Sequence, residues 1–358
     1  MGSSAADALA ERLFGASLGA YEVLTVNLGD RLGLYRALAE TGPATSAEVA
    51  ETTGTHERYA REWLEQQAVA GILDVDDAGA QPHERRYRIP AGHEDVLLDS
   101  DSLSYLVPLT RFATSFASAL PAVEEAFRTG GGVDWSAYGK DGLEAQEGAN
   151  RPVFKQLLGS EWLPAIPDVH ERLQADPPAK VADVACGAGW SSIAIARAYP
   201  KVSVDGYDVD EPSVELAAAN TAAEGMSERV RFHLRDAGDP ELSGRYDLVT
   251  VFEAIHDMPR PVEVLRAMRS LAGEEGTVLV MDEKVADAFI APGDEVERLM
   301  YTYSVLCCLP VGMSEQPSAA TGTVMRTDTL RRYAQDAGFA DVEVLPIEHD
   351  VFRFYRLS

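Results

Sequence analysis

The chain has 358 residues, of which 46% are hydrophobic and 25% are charged, a composition typical of a folded protein with room for two domains. Its 58 acidic residues outnumber 31 basic ones, and the formal net charge of -27 disfavours binding to nucleic-acid phosphates or anionic membranes. Apolar runs stay well below the roughly 18 residues of a membrane helix, and an odd set of three cysteines predicts a reducing cytoplasm rather than a disulfide framework.

The first residues follow the helical part of a winged-helix pattern. Residues 5–40 carry apolar side chains at helical spacing, and we expect this helix to break near Gly15 and Gly19. Residues 45–48 form a capping box that opens a short helix, and a further helix is predicted over about 56–69.

A small hairpin follows these helices. Residues 72–75 and 86–89 alternate apolar and polar side chains like two strands, and a polar loop joins them. Helices followed by a two-stranded wing predict a winged-helix-like domain over residues 1–100.

A winged helix also raises the alternative of a transcriptional regulator. Duplex binding requires a basic face that displaces counterions. Residues 1–100 contain eight Arg and no Lys against seventeen acidic residues. Dimerisation through the apolar first helix is therefore the favoured interpretation, with Leu13, Leu24 and Leu28 as contacts.

The rest of the chain divides into a connector and an α/β domain. Residues 101–176 are predicted to be a helical connector, with loops at 130–132 and 140–150. From there strands alternate with helices, which indicates a mostly parallel sheet over residues 177–358. The strand candidates are residues 181–184, 202–207, 230–234, 246–252, 277–281, 342–347 and 351–357. A tight turn separates the last two strands, so we expect them to be antiparallel.

A glycine-rich turn follows the first strand of that sheet. Gly187 and Gly189 allow the backbone to pass close to a ligand, and the helix that starts after them favours an anionic group. The two glycines could also serve only a tight connection between strand and helix.

Three acidic residues near this turn indicate the kind of ligand. Asp208 ends the second strand about 20 residues after the glycines, where a carboxylate can accept both hydroxyls of a ribose. Asp236 follows the third strand and could accept from an adenine amino group, or be a plain turn residue. Asp183 could face an ammonium group. Such an acidic pocket suits S-adenosylmethionine better than a pyrophosphate cofactor.

These segments resemble the successive motifs of class I S-adenosylmethionine-dependent methyltransferases. The motifs are residues 183–189, 206–208, 235–237 and 246–249. The resemblance implies a Rossmann-like sheet with an antiparallel last strand and S-adenosylmethionine as cofactor. The implied cofactor-binding residues are Asp183, Ala185, Gly187, Gly189, Asp208, Val209, Asp236, Ala237 and Phe252. Ala185 stands where the motif usually has its first glycine, and we expect alanine to be tolerated there.

A candidate base follows the fourth strand. His256 lies at the sheet edge where ligands bind in open α/β sheets, and its ordinary pKa suits general-base catalysis. The pair His256-Asp257 resembles the motif of plant-type small-molecule O-methyltransferases, in which this histidine is the catalytic base. The resemblance implies that residues 1–100 form a domain that dimerises and closes over the acceptor. The alternatives are that His256 only packs or caps, and that Asp257 caps a helix.

The metal alternative is disfavoured by the positions of the histidines. Some related methyltransferases hold iron through this histidine and a second one downstream. The next histidine is His349, in the turn between the last strands, and the region around Cys307 and Cys308 contains none. We therefore expect no metal.

The acceptor is expected to be a small molecule. Residues 284–325 form an insertion with apolar side chains such as Tyr303 and Leu309, which suits an aromatic or lipophilic acceptor or, alternatively, a dimer contact. Methylation of oxygen with His256 as base is the first hypothesis. Methylation of carbon or nitrogen, and non-methylating chemistry assisted by the sulfonium, are the alternatives. We expect a cytoplasmic homodimer that binds neither nucleic acid nor membrane.

Overall fold

The computed structural model describes residues 4–239, 242 and 244–358. The chain forms two compact units, Met1–Ala117 with Lys140–Pro152, and Ser118–Gly139 with Val153–Ser358. The domain boundaries predicted at residues 100 and 176 remain predictions. Among the described residues no helix has both the length and the apolar character that crossing a membrane requires.

The first unit begins with the predicted helices and a two-stranded wing. Its elements are α1 (Ala5–Arg31), α2 (Leu34–Thr41), α3 (Ser46–Thr53), α4 (Glu57–Val69), β1 (Asp74–Val75), β2 (Tyr87–Arg88) and α5 (Glu94–Leu97). The predicted capping box is confirmed, because Thr45 accepts from the Glu48 amide and its own amide donates to the Glu48 carboxylate at 2.7 Å. The core of this unit contains Tyr35, Trp63 and Leu64, each at most 6% exposed.

Two sequence predictions are wrong here. Helix α1 continues through Gly15 and Gly19 and ends at Arg31, because glycine lowers helix stability without imposing a break. Residues 140–150, predicted as a loop, lie within helix α7 (Gly139–Val153), which follows α6 (Val107–Thr129). The small residues of α7 face inward, and a Cβ on Gly148 would lie 2.6 Å from the Pro108 ring.

The second unit contains the α/β sheet. The helices that follow α7 all lie in this unit: α8 (Pro167–Gln174), α9 (Trp190–Ala198), α10 (Glu211–Ala223), α11 (Pro261–Ala272), α12 (Glu295–Tyr303), α13 (Leu309–Gly312) and α14 (Thr327–Ala337). Its strands are β3 (Lys180–Val184), β4 (Ser203–Asp208), β5 (Val230–Leu234), β6 (Leu248–Phe252), β7 (Thr277–Glu283), β8 (Val342–Val344) and β9 (Phe352–Leu357). Short 3-10 helices span Trp135–Tyr138 and Ile255–Asp257, and π-helical segments span Phe154–Trp162 and Ser304–Cys308.

The sheet has the predicted mixed topology. Its strand order is β5-β4-β3-β6-β7-β9-β8. Strands β3 to β7 are parallel to one another, whereas β9 runs antiparallel to both β7 and β8. Both faces are apolar because helices cover them, as is usual for parallel strands. The strand order reverses between β3 and β6, and the carboxyl ends of these strands form the edge where such sheets bind ligands.

Candidate active site

The glycine-rich turn after β3 adopts left-handed backbone conformations. The φ angles are +53° at Ala185, +51° at Gly187 and +82° at Gly189. A left-handed conformation costs a residue with a Cβ roughly 1–2 kcal/mol. Ala185 is therefore accommodated with strain, and the glycine that the motif usually has at this position would fit without it.

The two glycines of this turn differ in their surroundings. A Cβ added at Gly189 would lie 2.6 Å from Cζ of Phe232 and 3.0 Å from Cβ of Ala217, so this glycine is required by packing. A Cβ added at Gly187 would meet no described atom within 4 Å. The open side of Gly187 is where a ligand can approach the backbone.

Asp183 lies beneath the turn and is fully buried. Its carboxylate accepts hydrogen bonds from the hydroxyls of Ser191 and Ser192, both at 2.6 Å, and from Thr250 at 2.8 Å. Burial raises the pKa of this carboxyl group, although the three hydroxyls oppose the shift. Asp183 thus ties the start of α9 to β3 and β6, and its contact with an ammonium group remains a prediction.

Asp208 stands at the carboxyl end of β4, beside the turn. One carboxylate oxygen accepts from the Gly187 amide at 2.8 Å and the other from the Asp210 amide at 3.0 Å. Burial raises the pKa of Asp208. The next residue, Val209, leaves 68% of its side chain exposed, which is unusual for valine and provides an apolar surface next to the acid.

The remaining predicted cofactor residues lie at two neighbouring strand ends. Asp236 is exposed after β5, where it accepts from the Gly238 amide at 2.7 Å, and Ala237 beside it is 8% exposed. Phe252 ends β6, is 9% exposed, and its ring lies 5.3 Å from that of Phe154. The strand ends therefore place these residues along one edge of the sheet.

His256 is held at the same edge by two adjacent acids. It lies in the 3-10 turn after β6 and is 2% exposed. Its Nδ1 is 2.8 Å from Asp282 Oδ1 and 2.9 Å from Glu283 Oε2, and both acids come from the end of β7. Strands β6 and β7 pair in register with Phe252 opposite Met281, which brings the two strand ends together.

The pKa values of His256, Asp282 and Glu283 depend on one another, because the three side chains are buried in contact. Burial alone would lower the pKa of His256, but Glu283 and Asp282 outweigh it and raise that pKa well above its usual value. Burial likewise opposes ionisation of Asp282, yet His256 holds its pKa below the usual range. Burial raises the pKa of Glu283 well above normal. We infer an ionised Asp282 that favours the imidazolium, next to a protonated Glu283.

Further ionisable groups surround the imidazole. Burial raises the pKa of Glu253 to about 8 and that of Asp257 to about 7. Glu253 also has a φ of +53°, a strained conformation of the kind that clusters at functional sites. The sequence suggested Asp257 as a helix cap, but the N-cap of α11 is Arg260.

The same cluster contains the donor set for a metal ion. One ligand atom from each of His256, Asp282 and Glu283 lies within 4.8 Å of the others. Asp282 Oδ2 and Glu283 Oε2 have no hydrogen-bond partner among the described residues. His349, the second histidine considered from the sequence, accepts from the amides of Val351 and Phe352 in its own turn. The absence of a metal remains a prediction.

Two residues of this site, Asp282 and Glu283, were not predicted from the sequence. Asp282 and Glu283 immediately follow the strand predicted over residues 277–281, and acids at that edge of the sheet were the signal that could have identified them.

Comparisons with known proteins agree with this architecture. Residues 175–338 match the family described as "Methyltransferase domain", and residues 20–98 match the "Rv2258c-like winged HTH domain". Ajmaline N-methyltransferase from Rauvolfia serpentina is 26% identical over 160 residues, which are 44% of this chain and 53% of that protein. Other curated relatives are matched over smaller shares of their length, 5% and 41% in two cases.

Solved structures are similar over the whole chain. A putative O-methyltransferase from Nostoc punctiforme has a TM-score of 0.70 and 19% identity, with 100% of this chain and 99% of that chain covered. Human N-acetylserotonin methyltransferase in complex with SAM gives the same TM-score, identity and coverage. At this identity the likeness establishes the fold.

The predicted methyltransferase domain, its Rossmann-like sheet and the winged-helix-like N-terminal domain are confirmed. The mixed sheet with its antiparallel last strands is the class I arrangement expected from the motifs. The chain therefore carries a methyltransferase domain at residues 175–338, and this domain follows an Rv2258c-like winged helix-turn-helix domain at residues 20–98.

Proposed function

We propose that this protein is an S-adenosylmethionine-dependent methyltransferase that methylates an oxygen of a small-molecule acceptor, with His256 as general base. The observation that carries this proposal is the buried bond of 2.8 Å between His256 Nδ1 and Asp282 at the sheet edge. An imidazole anchored in this way is oriented for proton transfer through its other nitrogen.

The residues present fit S-adenosylmethionine. The open side of Gly187 leaves room for close approach, and the start of α9 favours a carboxylate. Asp208 can accept the ribose hydroxyls, while Val209 offers an apolar surface to the adenine. Asp236, which is exposed, would accept from the adenine amino group. When bound, the cofactor supplies an electrophilic methyl group on its sulfonium.

The hydrogen bonding of His256 supports the proposed role of this residue as the base. Its Nδ1–H donates to Asp282, which leaves the lone pair of Nε2 to accept a proton from the acceptor hydroxyl. The negative charge of Asp282 then stabilises the imidazolium that forms, as carboxylates do behind catalytic histidines. The base and its orienting acid come from adjacent strands of one sheet, so their relative position is rigid.

The first test of the proposed function is direct. We expect calorimetry to show that the folded protein binds S-adenosylmethionine and its demethylated product. Incubation with isotopically labelled cofactor and a panel of phenols, alcohols and amines should transfer the label to a hydroxyl, identified by mass spectrometry and NMR. Lack of affinity for both forms of the cofactor would refute the proposal.

The pH dependence tests the role of Asp282. Because the base must be neutral and its pKa is raised, kcat/KM should increase with pH through the alkaline side of neutrality. In Asp282→Asn the imidazolium loses a carboxylate, so the increase should move to lower pH by roughly 1–3 units, while kcat falls. A matched control is Asp287→Asn, at an exposed position of the same unit. An unmoved profile would rule out Asp282 as the partner of the base.

Transfer to nitrogen is a second candidate. Ajmaline N-methyltransferase is among the relatives, and the acids Glu253 and Asp257 near His256 would suit a basic acceptor. Amines need less help from a base than hydroxyls. The product's methyl position by NMR, together with the dependence on His256, separates the two.

We further infer that the protein acts in the cytoplasm as a homodimer. Its described cysteines are free, which fits a reducing compartment. Helix α1 carries exposed large apolar side chains: Leu9, Leu13, Phe14, Leu18, Tyr21, Leu24 and Leu28. The predicted contacts Leu13, Leu24 and Leu28 are 58%, 44% and 48% exposed. A second copy is the partner we propose for this surface, because exposed apolar patches mark association sites.

Charged substitutions on the exposed apolar face of α1 test the proposed dimer. In Leu13→Glu/Leu24→Glu we expect a dimeric protein to become monomeric in sedimentation velocity, because two charges would have to be buried in the contact. The double variant should keep the circular dichroism spectrum of a folded protein, since both side chains are exposed in the monomer, while its melting temperature falls because dimerisation no longer stabilises the folded state. The control is Glu11→Gln on the same helix. A dimer that survives the double substitution would place the contact elsewhere.

A further inference from the structure

A mostly buried ion pair lies beside the segment that follows β7. The Arg326 guanidinium, at the N-cap of α14, donates to Glu297 Oε1 of α12 at 2.9 Å, and the two side chains are 18% and 6% exposed. Both side chains also bind the backbone of Ala286. Glu297 Oε2 accepts from the Ala286 amide at 3.0 Å, and Arg326 donates to the Ala286 carbonyl oxygen. The pair therefore satisfies both polar backbone groups of one residue.

Ala286 lies close along the chain to the acids that contact His256. It follows Glu283 by three residues and Asp282 by four, which is at most about 14 Å of extended chain. A turn shortens this connection, because the Val285 amide donates to the Glu283 carbonyl at 3.1 Å. Val285 is 2% exposed, so the turn is packed in the interior. A contact that fixes Ala286 therefore restrains the end of β7.

The start of α14 is attached to the same sheet. Thr327, the residue after Arg326, accepts from the Arg353 guanidinium at 2.9 Å. Arg353 belongs to β9 and lies opposite Asp282 in the pairing of β7 with β9. Arg326 is therefore held relative to the strand that carries the acids in two ways, through β9 and through Ala286.

Burial of this pair does not by itself indicate a role in stability. Transfer of two charges from water to the interior costs free energy, and apolar side chains of similar volume often replace such pairs without loss of stability. A guanidinium does provide geometry, because its rigid set of donors can bind a carboxylate and a carbonyl oxygen at the same time. The geometry that Arg326 fixes is that of the segment leaving β7.

We propose that Arg326 and Glu297 are positioning residues for the proposed base. By holding Ala286, they keep Asp282 within hydrogen-bonding distance of His256. The distance that they maintain, between Nδ1 and Oδ1, is 2.8 Å. This inference rests on the proposed function, because it takes His256 as the group that accepts the proton. Both positioning residues act through the end of β7 and not through contact with the acceptor.

The expected consequence of losing the pair is a slower chemical step. A displacement of about 1 Å in a catalytic arrangement can lower a rate by roughly 10²-fold. A shift of Asp282 would leave the imidazole less well oriented and would weaken the stabilisation of the imidazolium. Cofactor affinity should be unaffected, because neither Arg326 nor Glu297 is among the predicted cofactor-binding residues. A general loss of folding would instead lower both quantities together.

Three variants and one control separate positioning from stability. Arg326→Met/Glu297→Met removes both charges, so that neither remains buried without its partner. Glu297→Gln keeps the volume but has one acceptor oxygen where the carboxylate has two, so it can serve only one of its two donors. Arg326→Lys keeps the positive charge. The control is Arg172→Met, since Arg172 likewise bonds a carboxylate, that of Asp247 at 2.8 Å, and a carbonyl, that of Pro177 at 2.9 Å. Asp247 immediately precedes β6, so this pair lies at the end of the sheet opposite the site.

The first measurement needs no turnover. In proton NMR the Nδ1–H of His256, bonded to a carboxylate, should give a resolved downfield signal that His256→Asn lacks. The signal should shift upfield or be lost by exchange in the double methionine variant, change less in Glu297→Gln, and remain in Arg326→Lys and Arg172→Met. Circular dichroism and thermal unfolding report the folding of each variant. If the double variant does not fold, Glu297→Gln decides. An unchanged signal in every folded variant would overturn the proposal.

The second measurement is kinetic. With the identified acceptor, kcat of the double methionine variant should fall by about 10–100-fold and that of Glu297→Gln by about threefold, while the dissociation constant for S-adenosylmethionine stays within about twofold. Arg326→Lys should recover most of the rate, and Arg172→Met should match the wild type. A folded double variant with the wild-type kcat would overturn the positioning role. If the wild-type protein shows no transfer, the proposed function fails, while the NMR signal still decides whether the pair positions Asp282.

Discussion

Replacement of His256 by Asn is expected to lower kcat by about 10²–10⁴-fold, the usual contribution of a positioned general base. The affinity for S-adenosylmethionine should stay within about threefold, because His256 is not among the predicted cofactor-binding residues. Asparagine is chosen because its amide can still donate to Asp282, whose buried carboxylate would otherwise lose its partner. The effect should thus fall on the chemical step.

The measurements are steady-state kinetics with the identified acceptor, calorimetry with the cofactor, and thermal unfolding. His170→Asn is a matched control, since His170 is a half-buried histidine of the same unit that bonds Tyr199 at 2.8 Å. It should leave kcat near the wild-type value. If His256→Asn turned over at the wild-type rate, His256 would not be the base, and transfer to nitrogen or carbon would become the preferred reaction.

Substitution of Gly189 by Ala is expected to have the largest effect on stability. The added methyl group would lie 2.6 Å from the Phe232 ring and 3.0 Å from Ala217, while φ stays at +82°. Overpacking costs about 1–3 kcal/mol and the left-handed conformation roughly 1–2 kcal/mol. We therefore expect the free energy of unfolding to fall by about 2–5 kcal/mol, measured by urea denaturation.

Gly187→Ala is the matched comparison in the same turn. Its Cβ would meet no described atom within 4 Å, so only the conformational cost of roughly 1–2 kcal/mol should appear in the unfolding curve. Cofactor affinity should instead fall sharply in calorimetry, because the methyl group enters the open side of the turn. Phe232→Leu should recover part of the stability lost in Gly189→Ala and none of the affinity lost in Gly187→Ala. Equal effects of the two alanines would contradict the different roles assigned to these glycines.

Local signals explain how much of the fold the sequence could predict. The capping box at Thr45 predicted the helix that follows it, and the alternation of side chains predicted the two strands of the wing. Both signals are local, since their contacts join residues close along the chain. Strands of the α/β sheet were located within a few residues, because each is a short apolar run bounded by turn residues. The glycine turn and Asp208 were recognised from their spacing along a motif.

What the sequence could not provide depends on contacts between distant segments. The partner of His256 is Asp282, 26 positions away, and the pairing of β6 with β7 brings them together. Helix α7 was missed because its buried face consists of small residues rather than large apolar ones. The strain at Ala185 is a backbone property that the residue type alone does not reveal.

Enzymatic activity should require the native pairing of β6 with β7. The base belongs to one strand end and its carboxylate to the next, so neither segment alone contains the pair. A shift by one residue would send the side chain of Asp282 to the opposite face. During refolding, turnover should therefore return no earlier than the protection of the amides that join these two strands.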